Sequence, residues 1–363
     1  MLSGECCPTK RKENSDTLRS KKVNVLVTGT GAGGVGEGVV KALKMDRQKY
    51  RIVATDMNPM SATLLRVDKG YILPEASDEK YIGKLLNICK RENVSAVIPG
   101  SVPELKELSN AREIFEQEGI ALIIGPKNVI DVCLDKWESY KFLKMHGFPY
   151  PKTYLSEDSD RAASELGFPV FVKPREGYGS RHTYVIHDKE ELDIIGRYLR
   201  KIRVEFMIQE YVDTKECTVG VVASKHGRIL GSISILREIK TGFSYRMTVT
   251  DVKEARMISE ELSSKFGSIG PMNIQLFITQ GKPVIFEINP RFSGTTPIRS
   301  AVGFREVDAT LRSFLFEEEN QLTFKSKVIV IRYLDEIYAS SSAFDELQKD
   351  GYTSRKGWRK RYF

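Results

Sequence analysis

Residues Thr28–Gly36, TGTGAGGVG, leave this chain few choices of fold. They follow an apolar run, Val23–Val27, and lead into Glu37–Leu43, which reads as a helix. Gly29-x-Gly31-x-x-Gly34 lets the backbone turn sharply from strand to helix, where larger residues would collide. The next apolar run, Arg51–Thr55, ends at an acid, Asp56. Strand, glycine turn, helix, strand, acid is the order of a Rossmann-like βαβ unit. Two readings stay open. The turn either serves a nicotinamide cofactor, or it is structural and its helix N-terminus receives an anionic group of a substrate.

The alternation continues. Gly70–Leu73, Ala96–Pro99 and Leu122–Ile124 read as strands, with helices at Lys80–Glu92 and Glu104–Glu118. Tyr81, Leu85 and Ile88 fall on one helical face. Such a pattern predicts a parallel sheet with helices on both sides. Beyond Pro126 it changes. One helix is expected over Asp131–His146, ended by Gly147 and followed by the stiff connector Phe148-Pro149-Tyr150-Pro151. Strands are expected at Pro169–Lys173, Thr183–His187, Met207–Val212, Cys217–Ser224, Arg228–Leu236, Ile274–Thr279 and Val284–Ile288. Their close spacing points to antiparallel pairing, interrupted by helices at Lys189–Arg200, Val252–Phe266 and Glu306–Phe316. The fold class is therefore α/β, becoming α+β in the C-terminal part. The 363 residues suit two or three domains.

The net charge of +8 is concentrated at the ends. Residues 1–22 and 341–363 each hold six Lys or Arg against three Asp or Glu. Both ends are expected to be solvated tails, and nucleic acid is not favoured as a partner. Cys6, Cys7, Cys89, Cys133 and Cys217 form no C-x-x-C pair and are expected to be free thiols. No apolar run suits a signal segment or a membrane span, so a cytoplasmic location without a membrane partner is expected.

The chemistry lies in the second half. In Val284–Thr296, VIFEINPRFSGTT, Glu287 and Asn289 are two apart on a strand and share a face. A hairpin turn at Gln280-Gly281-Lys282 brings Gln275 onto the facing strand. Carboxylate and amide oxygens beside Arg291 suit a magnesium–phosphate site, because Mg²⁺ prefers oxygen ligands shared with phosphates. Lys173 ends an apolar strand, where an unpaired lysine is rare, and the glycine-containing loop Glu176–Arg181 follows it. Gln209-Glu210-Tyr211-Val212 ends another strand ahead of Glu216. That segment suits an adenine edge and a ribose.

Together with Asp135-Lys136, these pieces resemble the ATP-grasp superfamily, with the synthetase halves of carbamoyl-phosphate synthetase and stand-alone amide ligases most alike. The resemblance covers roughly residues 23–331. It implies a Rossmann-like domain at 23–127, a small lobe at 128–203 and a large lobe at 204–338, between tails 1–22 and 339–363. It implies that Lys136, Lys173, Gly177, Gly179, Ser180, Gln209, Glu210, Val212 and Glu216 contact ATP. Gln275, Glu287 and Asn289 would hold Mg²⁺, with Mn²⁺ as the alternative ion. Arg291, Lys173 and Asn289 would serve the phosphoryl transfer. Arg237, Arg246, Gly33 and Glu104 are candidates for contacts to the other substrates.

The implied activity joins a small-molecule carboxylate to an amine or ammonia, through an acyl phosphate, with release of ADP and phosphate. One alternative is a carbamoyl-phosphate-forming or other ATP-dependent phosphorylating enzyme. Another is an NAD(P)-dependent dehydrogenase using the glycine turn. A homo-oligomer is compatible with the chain.

Overall fold

The computed structural model describes residues 22–46, 48–240, 243–333 and 335–354. Three sheets organise it. The first begins with β1 (Val23–Val27), α1 (Val35–Met45), β2 (Tyr50–Asp56), β3 (Lys69–Ile72), α2 (Tyr81–Arg91) and β4 (Ala96–Ile98). α3 (Val102–Asn110), α4 (Arg112–Gln117) and β5 (Ala121–Leu122) complete the N-terminal run. Strands β3-β2-β1-β4-β5 pair in parallel, and the central β1 buries Val25, Leu26 and Val27 completely. The expected single helix Glu104–Glu118 is two helices that meet at Ala111.

The glycine turn joins β1 to α1. Gly29 and Gly33 take positive φ values of 56° and 74°, a region that side chains disfavour. Beneath the turn Glu104 is buried, and it accepts from Tyr81 Oη at 3.1 Å. Burial pushes its carboxyl above the usual range.

The linking region holds α5 (Lys127–Leu134) and α6 (Lys136–Met145). Here the sequence pattern misleads, because one helix is expected where two are found. Asp135 breaks them apart by capping the second. Its carboxylate accepts from Trp137 N at 2.9 Å and Glu138 N at 3.3 Å. Arg175 pairs with the same carboxylate at 2.7 Å. Burial drives the Asp135 carboxyl upward, but Arg175 and the two amides outweigh that and hold it below the usual range.

The small sheet has the order β6-β9-β7-β8, all antiparallel. It comprises β6 (Thr153–Leu155), β7 (Val170–Pro174), β8 (Tyr184–Ile186) and β9 (Phe206–Glu210), backed by α7 (Ser159–Leu166) and α8 (Lys189–Lys201). The large sheet has the order β14-β13-β10-β11-β12-β15 and is antiparallel throughout. Its strands are β10 (Glu216–Ala223), β11 (Ile229–Lys240), β12 (Phe243–Val249), β13 (Gly270–Thr279), β14 (Lys282–Asn289) and β15 (Val328–Ile331). One face packs on α9 (Lys253–Phe266) through Val219, Ile274, Ile285 and Leu262. The other receives α10 (Thr296–Ala301), with α11 (Glu306–Phe316) close behind.

The N-terminal domain is bound to this second side. α1 packs against α10. Asp308 of α11 accepts from Tyr50 Oη at 2.6 Å and Lys49 Nζ at 3.0 Å.

The span 339–363 does not match the expected solvated tail. It contains α12 (Ser341–Asp350) and β16 (Tyr352–Ser354), and β16 pairs antiparallel with β3 at the edge of the first sheet. Leu347 and Ala343 are fully buried, and Tyr352 stands 5.7 Å from Tyr71, ring centre to ring centre. Charge at the chain end concealed two apolar anchors at helical spacing. Residues 1–21 and 355–363 lie outside the described residues.

Leu347 therefore belongs to the core. Leu347→Ala should cost about 2–5 kcal/mol in urea unfolding, as for a fully buried leucine. A residue in a solvated tail would change stability by less than about 0.5 kcal/mol.

Candidate active site

The pairing of β13 with β14 sets Gln275 opposite Glu287 and Asn273 opposite Asn289. Directly paired residues point to the same side of a sheet, so all four face α10. They fall into separate hydrogen-bonded groups on that side. Asn289 Nδ2 donates to Glu287 Oε1 at 3.2 Å, and Arg291 Nη2 donates to Asn289 Oδ1 at 2.9 Å. Arg237 Nη2 donates to Glu216 Oε2 at 2.8 Å and also to Gln275 Oε1. The expected metal, ribose and substrate residues of three separate sequence segments thus meet on one face.

A second layer, not foreseen from sequence, fixes this face from beside. Asn273 Oδ1 accepts from Thr218 Oγ1 at 2.8 Å and from Arg299 Nη2 at 2.6 Å. Arg299 pairs with Glu306 at 3.2 Å, each side chain only 1 % exposed. Gly220 makes room for it: a Cβ there would lie 2.1 Å from Arg299 Nη1. The signal was Arg299 and Glu306, seven apart, with Arg305 the one other charge between them.

A narrow cleft lies between the small and large sheets. Lys136, Lys173, Gln209 and Glu287 line it, as expected, together with Tyr140 and Tyr150, which sequence reading missed. Those two rings meet edge to face at 4.8 Å. Aromatic and apolar walls beside lysines suit a planar base carrying phosphates. Lys173 is buried, and its ammonium donates to Gln209 Oε1 at 2.9 Å and to Phe286 O at 3.1 Å. The register skips at Phe286, which has no Cα partner on β13, and this bulge leaves its carbonyl to Lys173. Gln209 is held in turn by Thr153 Oγ1 at 2.8 Å.

Burial pulls the Lys173 ammonium down to about 8, with Lys136 adding to the fall and Glu287 opposing it. Burial also lowers Lys136, against the pull of Glu287, Asp135 and Glu176. Arg291 is lowered by burial and supported by Glu287. Glu287 is thus the anion that three surrounding cations share.

Glu210 ends β9. Its backbone N–H is taken by Lys152 O at 2.8 Å and its side chain is exposed, while Val212 is half-buried in the link to β10. Gly177, Gly179 and Ser180 lie in an exposed loop, and Lys136 Nζ donates to Gly177 O at 3.0 Å.

The other three candidates for substrate contacts are Glu104, Arg246 and Gly33. Glu104 is buried beneath the glycine turn. Arg246 is exposed: Met247 is the residue that pairs with Arg237, so Arg246 points to the opposite side of the pleat. The Gly33 N–H is already bound by Glu37 Oε2 at 2.6 Å. The acid of the dinucleotide pattern is likewise engaged. Asp56 is buried, accepts from Asn58 N at 2.9 Å and faces the amides of Thr30, Gly31 and Met57. Neither the turn nor its acid is presented to a cofactor.

A divalent ion fits the front face. Gln275, Glu287 and Asn289 offer three oxygens and a single charge, which matches Mg²⁺ shared with phosphates. Among the described residues no group of three or more His, Cys, Asp or Glu offers a competing metal site. No helix of the described residues is long and apolar enough to cross a membrane.

Comparison with known proteins agrees with this geometry. Residues 133–295 match the family described as ATP-grasp domain. The chain carries an ATP-grasp domain. Residues 25–123 match the PylC-like N-terminal domain. The arginine-specific carbamoyl phosphate synthase large chain of Bacillus subtilis is 23 % identical over 312 residues, 80 % of this chain and 29 % of that one. Its Geobacillus stearothermophilus counterpart is 24 % identical over 304 residues, covering 77 % and 28 %. The chain thus spans under a third of the length of these curated relatives.

Among solved structures, the biotin carboxylase domain of Hydrogenobacter thermophilus 2-oxoglutarate carboxylase, with MgADP and bicarbonate, superposes with a TM-score of 0.68. Identity is 18 %, covering 89 % of this chain and 76 % of that one. N5-carboxyaminoimidazole synthetase of Staphylococcus aureus, complexed with ADP, gives 0.65 at 16 % identity, covering 87 % and 84 %. The ATP-grasp fold and its preceding α/β domain are as the sequence implied.

If Lys173 receives a phosphate, as the resemblance implies, nucleotide binding depends on pH. Between about 8 and its ordinary 10.5, the unfolded chain holds a proton that the folded chain lacks. This group's contribution to stability therefore rises with pH across that window. A phosphate requires the charged ammonium. ATP affinity should fall as pH rises above about 8, and binding there should take up a proton. Calorimetry at pH 8.5 in buffers of different ionisation enthalpy measures the uptake, which Lys173→Met should abolish.

Proposed function

We propose that this protein is an ATP- and Mg²⁺-dependent carboxylate–amine ligase that works through an acyl phosphate. The observation that supports this most is the convergence of Lys136, Lys173, Gln209 and Glu287 on one cleft between two antiparallel lobes. The small lobe, 128–203, and the large lobe, 204–338, hold the nucleotide between them. The N-terminal domain, 23–127, forms the far wall for the other substrates.

The adenine lies against Tyr140 and Tyr150, with the 209–212 segment at its edge and Glu216 near the ribose. Lys136 and Lys173 receive phosphate oxygens, and the loop 177–182 closes over them. Gln275, Glu287 and Asn289 would hold Mg²⁺, with Mn²⁺ as a substitute, which would supply charge neutralisation to the phosphates. A carboxylate oxygen of the acid attacks the γ-phosphorus. The new O–P bond forms as the bond to the bridging oxygen breaks, and the electron pair leaves with ADP. Arg291 steadies the transferring phosphoryl oxygens, with one nitrogen of its fork held by the Phe292 carbonyl at 2.9 Å. The amine nitrogen then attacks the acyl carbon, phosphate departs with the electron pair, and the amine gives a proton to solvent.

A carbamoyl-phosphate-forming activity uses the same cleft and is distinguished by its phosphorylated product. No side-chain nucleophile is required by either.

A panel of small carboxylates, bicarbonate included, incubated with ATP, Mg²⁺ and amines or ammonia tests this reading through acid-dependent ADP release. MgATP should raise the melting temperature and NAD or NADP should not. A shift with NAD alone would leave the cleft without a role. Glu287→Gln should keep the fold and lower ADP formation at saturating ATP by about 100-fold or more, roughly the 3 kcal/mol of one lost electrostatic contact. Wild-type turnover with unchanged Mg²⁺ dependence in that variant would place the metal elsewhere.

A further inference from the structure

Arg237 is bound to two residues that the nucleotide and its metal also require. Its Nη2 donates to Glu216 Oε2 at 2.8 Å and to Gln275 Oε1. The side chain is 13 % exposed, and its Nε is buried without a partner. The register explains the triangle: Arg237 stands opposite Glu216 on β10, and Gln275 lies on the far side of the same strand, opposite Thr218. Asn289 repeats the pattern, with its amide oxygen accepting from Arg291 at 2.9 Å. Both neutral oxygens of the metal set are therefore occupied by guanidinium donors.

Two cations on one amide oxygen repel at short range, so Arg237 on Gln275 and Mg²⁺ on Gln275 exclude one another. A ribose hydrogen-bonded to Glu216 competes for the other partner. When both are taken, a nearly buried guanidinium needs a new anion, since an unpaired charge there is strongly disfavoured.

We propose that Arg237 is an exchangeable cation. It neutralises Glu216 and Gln275 until MgATP claims them, and it then turns its planar fork to the carboxylate of the acid substrate. This rests on the ligase reading above. It adds an order of events: nucleotide and metal bind first, and their binding creates the acid's site. It also distinguishes Arg237 from a residue that merely holds Gln275 and Glu216 in place, because the two roles predict opposite effects of removing it.

The test uses the full chain with Arg237→Met, Arg237→Gln and Arg237→Lys. ATP binding is followed by calorimetry at constant ionic strength, with Mg²⁺ titrated and with EDTA as the metal-free control. If Arg237 competes with the metal, the two neutral variants lower the half-saturating Mg²⁺ by about threefold or more, while metal-free ATP binding stays within about twofold. Arg237→Lys keeps the wild-type requirement. With the acid that gives the fastest ADP release in the panel above, the KM for the acid rises about 30-fold or more in the neutral variants and the KM for MgATP does not rise.

An unchanged or raised Mg²⁺ requirement in both neutral variants overturns the exchange. So does an unchanged KM for the acid. If the wild-type protein fails to bind MgATP at all, the ligase reading falls and the exchange falls with it. Tight wild-type binding with weakened neutral variants overturns the exchange alone.

Discussion

The antiparallel pairing of β13 with β14 is the constraint on which the rest of the cleft depends. It sets Gln275 against Glu287 and Asn273 against Asn289, and so determines where every polar group on the front face points. A slip of one residue in β14 would turn Glu287 and Asn289 towards α9 and into an apolar core. The bulge at Phe286 sits within this pairing and gives its carbonyl to Lys173, so one irregularity ties the small lobe to the large one. The buried Arg299–Glu306 pair anchors Asn273 from the opposite side. A buried ion pair adds little net stability, but it fixes geometry, and here the geometry is that of a ligand-bearing strand.

Charge is distributed sparingly around this pairing. One carboxylate, Glu287, raises the proton affinity of Lys136, Lys173 and Arg291, all of which burial lowers. The cleft is therefore rich in cations held by few anions. Such a site is poorly compensated by itself and is completed by a polyanion with its metal. The same imbalance explains why no acidic cluster among the described residues marks a metal site: two of the three side chains are amides, and much of the negative charge has to come with the ligand.

Where chemistry was carried by spacing along one strand, the sequence was easy to read. Glu287-x-Asn289, Lys173 at a strand end and Gln275 across a hairpin all emerged from period-two reasoning, and the structure gathers them. Glu306–Phe316 and β1 were also found at the expected residues. What was missed depended on contacts between distant segments. Asp135 looked like one more helical residue, yet it divides a helix because Arg175 and two amides converge on it. Arg246 looked equivalent to Arg237, but the pleat of β12 turns it to the other side. Tyr140 and Tyr150 carry no motif and gain their place only when the lobes face each other. Glu104 resembled an accessible acid, and only the path of the glycine turn above it shows that it is closed off.

The strand β16 has a consequence for how the chain is made. It completes the edge of a sheet whose other five strands all lie before residue 123. During synthesis the N-terminal domain can collapse early, but the free edge of β3 remains unpaired until β16, ending at Ser354, has left the ribosome. An open parallel-sheet edge is a template for pairing with other chains. Nascent chains are thus exposed to mispairing while the residues between β3 and β16 are made. Lys69 and Arg91, which lie against the ring of Tyr352 in the finished fold, surround that edge with positive charge meanwhile. Like charges at such an edge discourage two nascent copies from meeting there before their own last strand arrives.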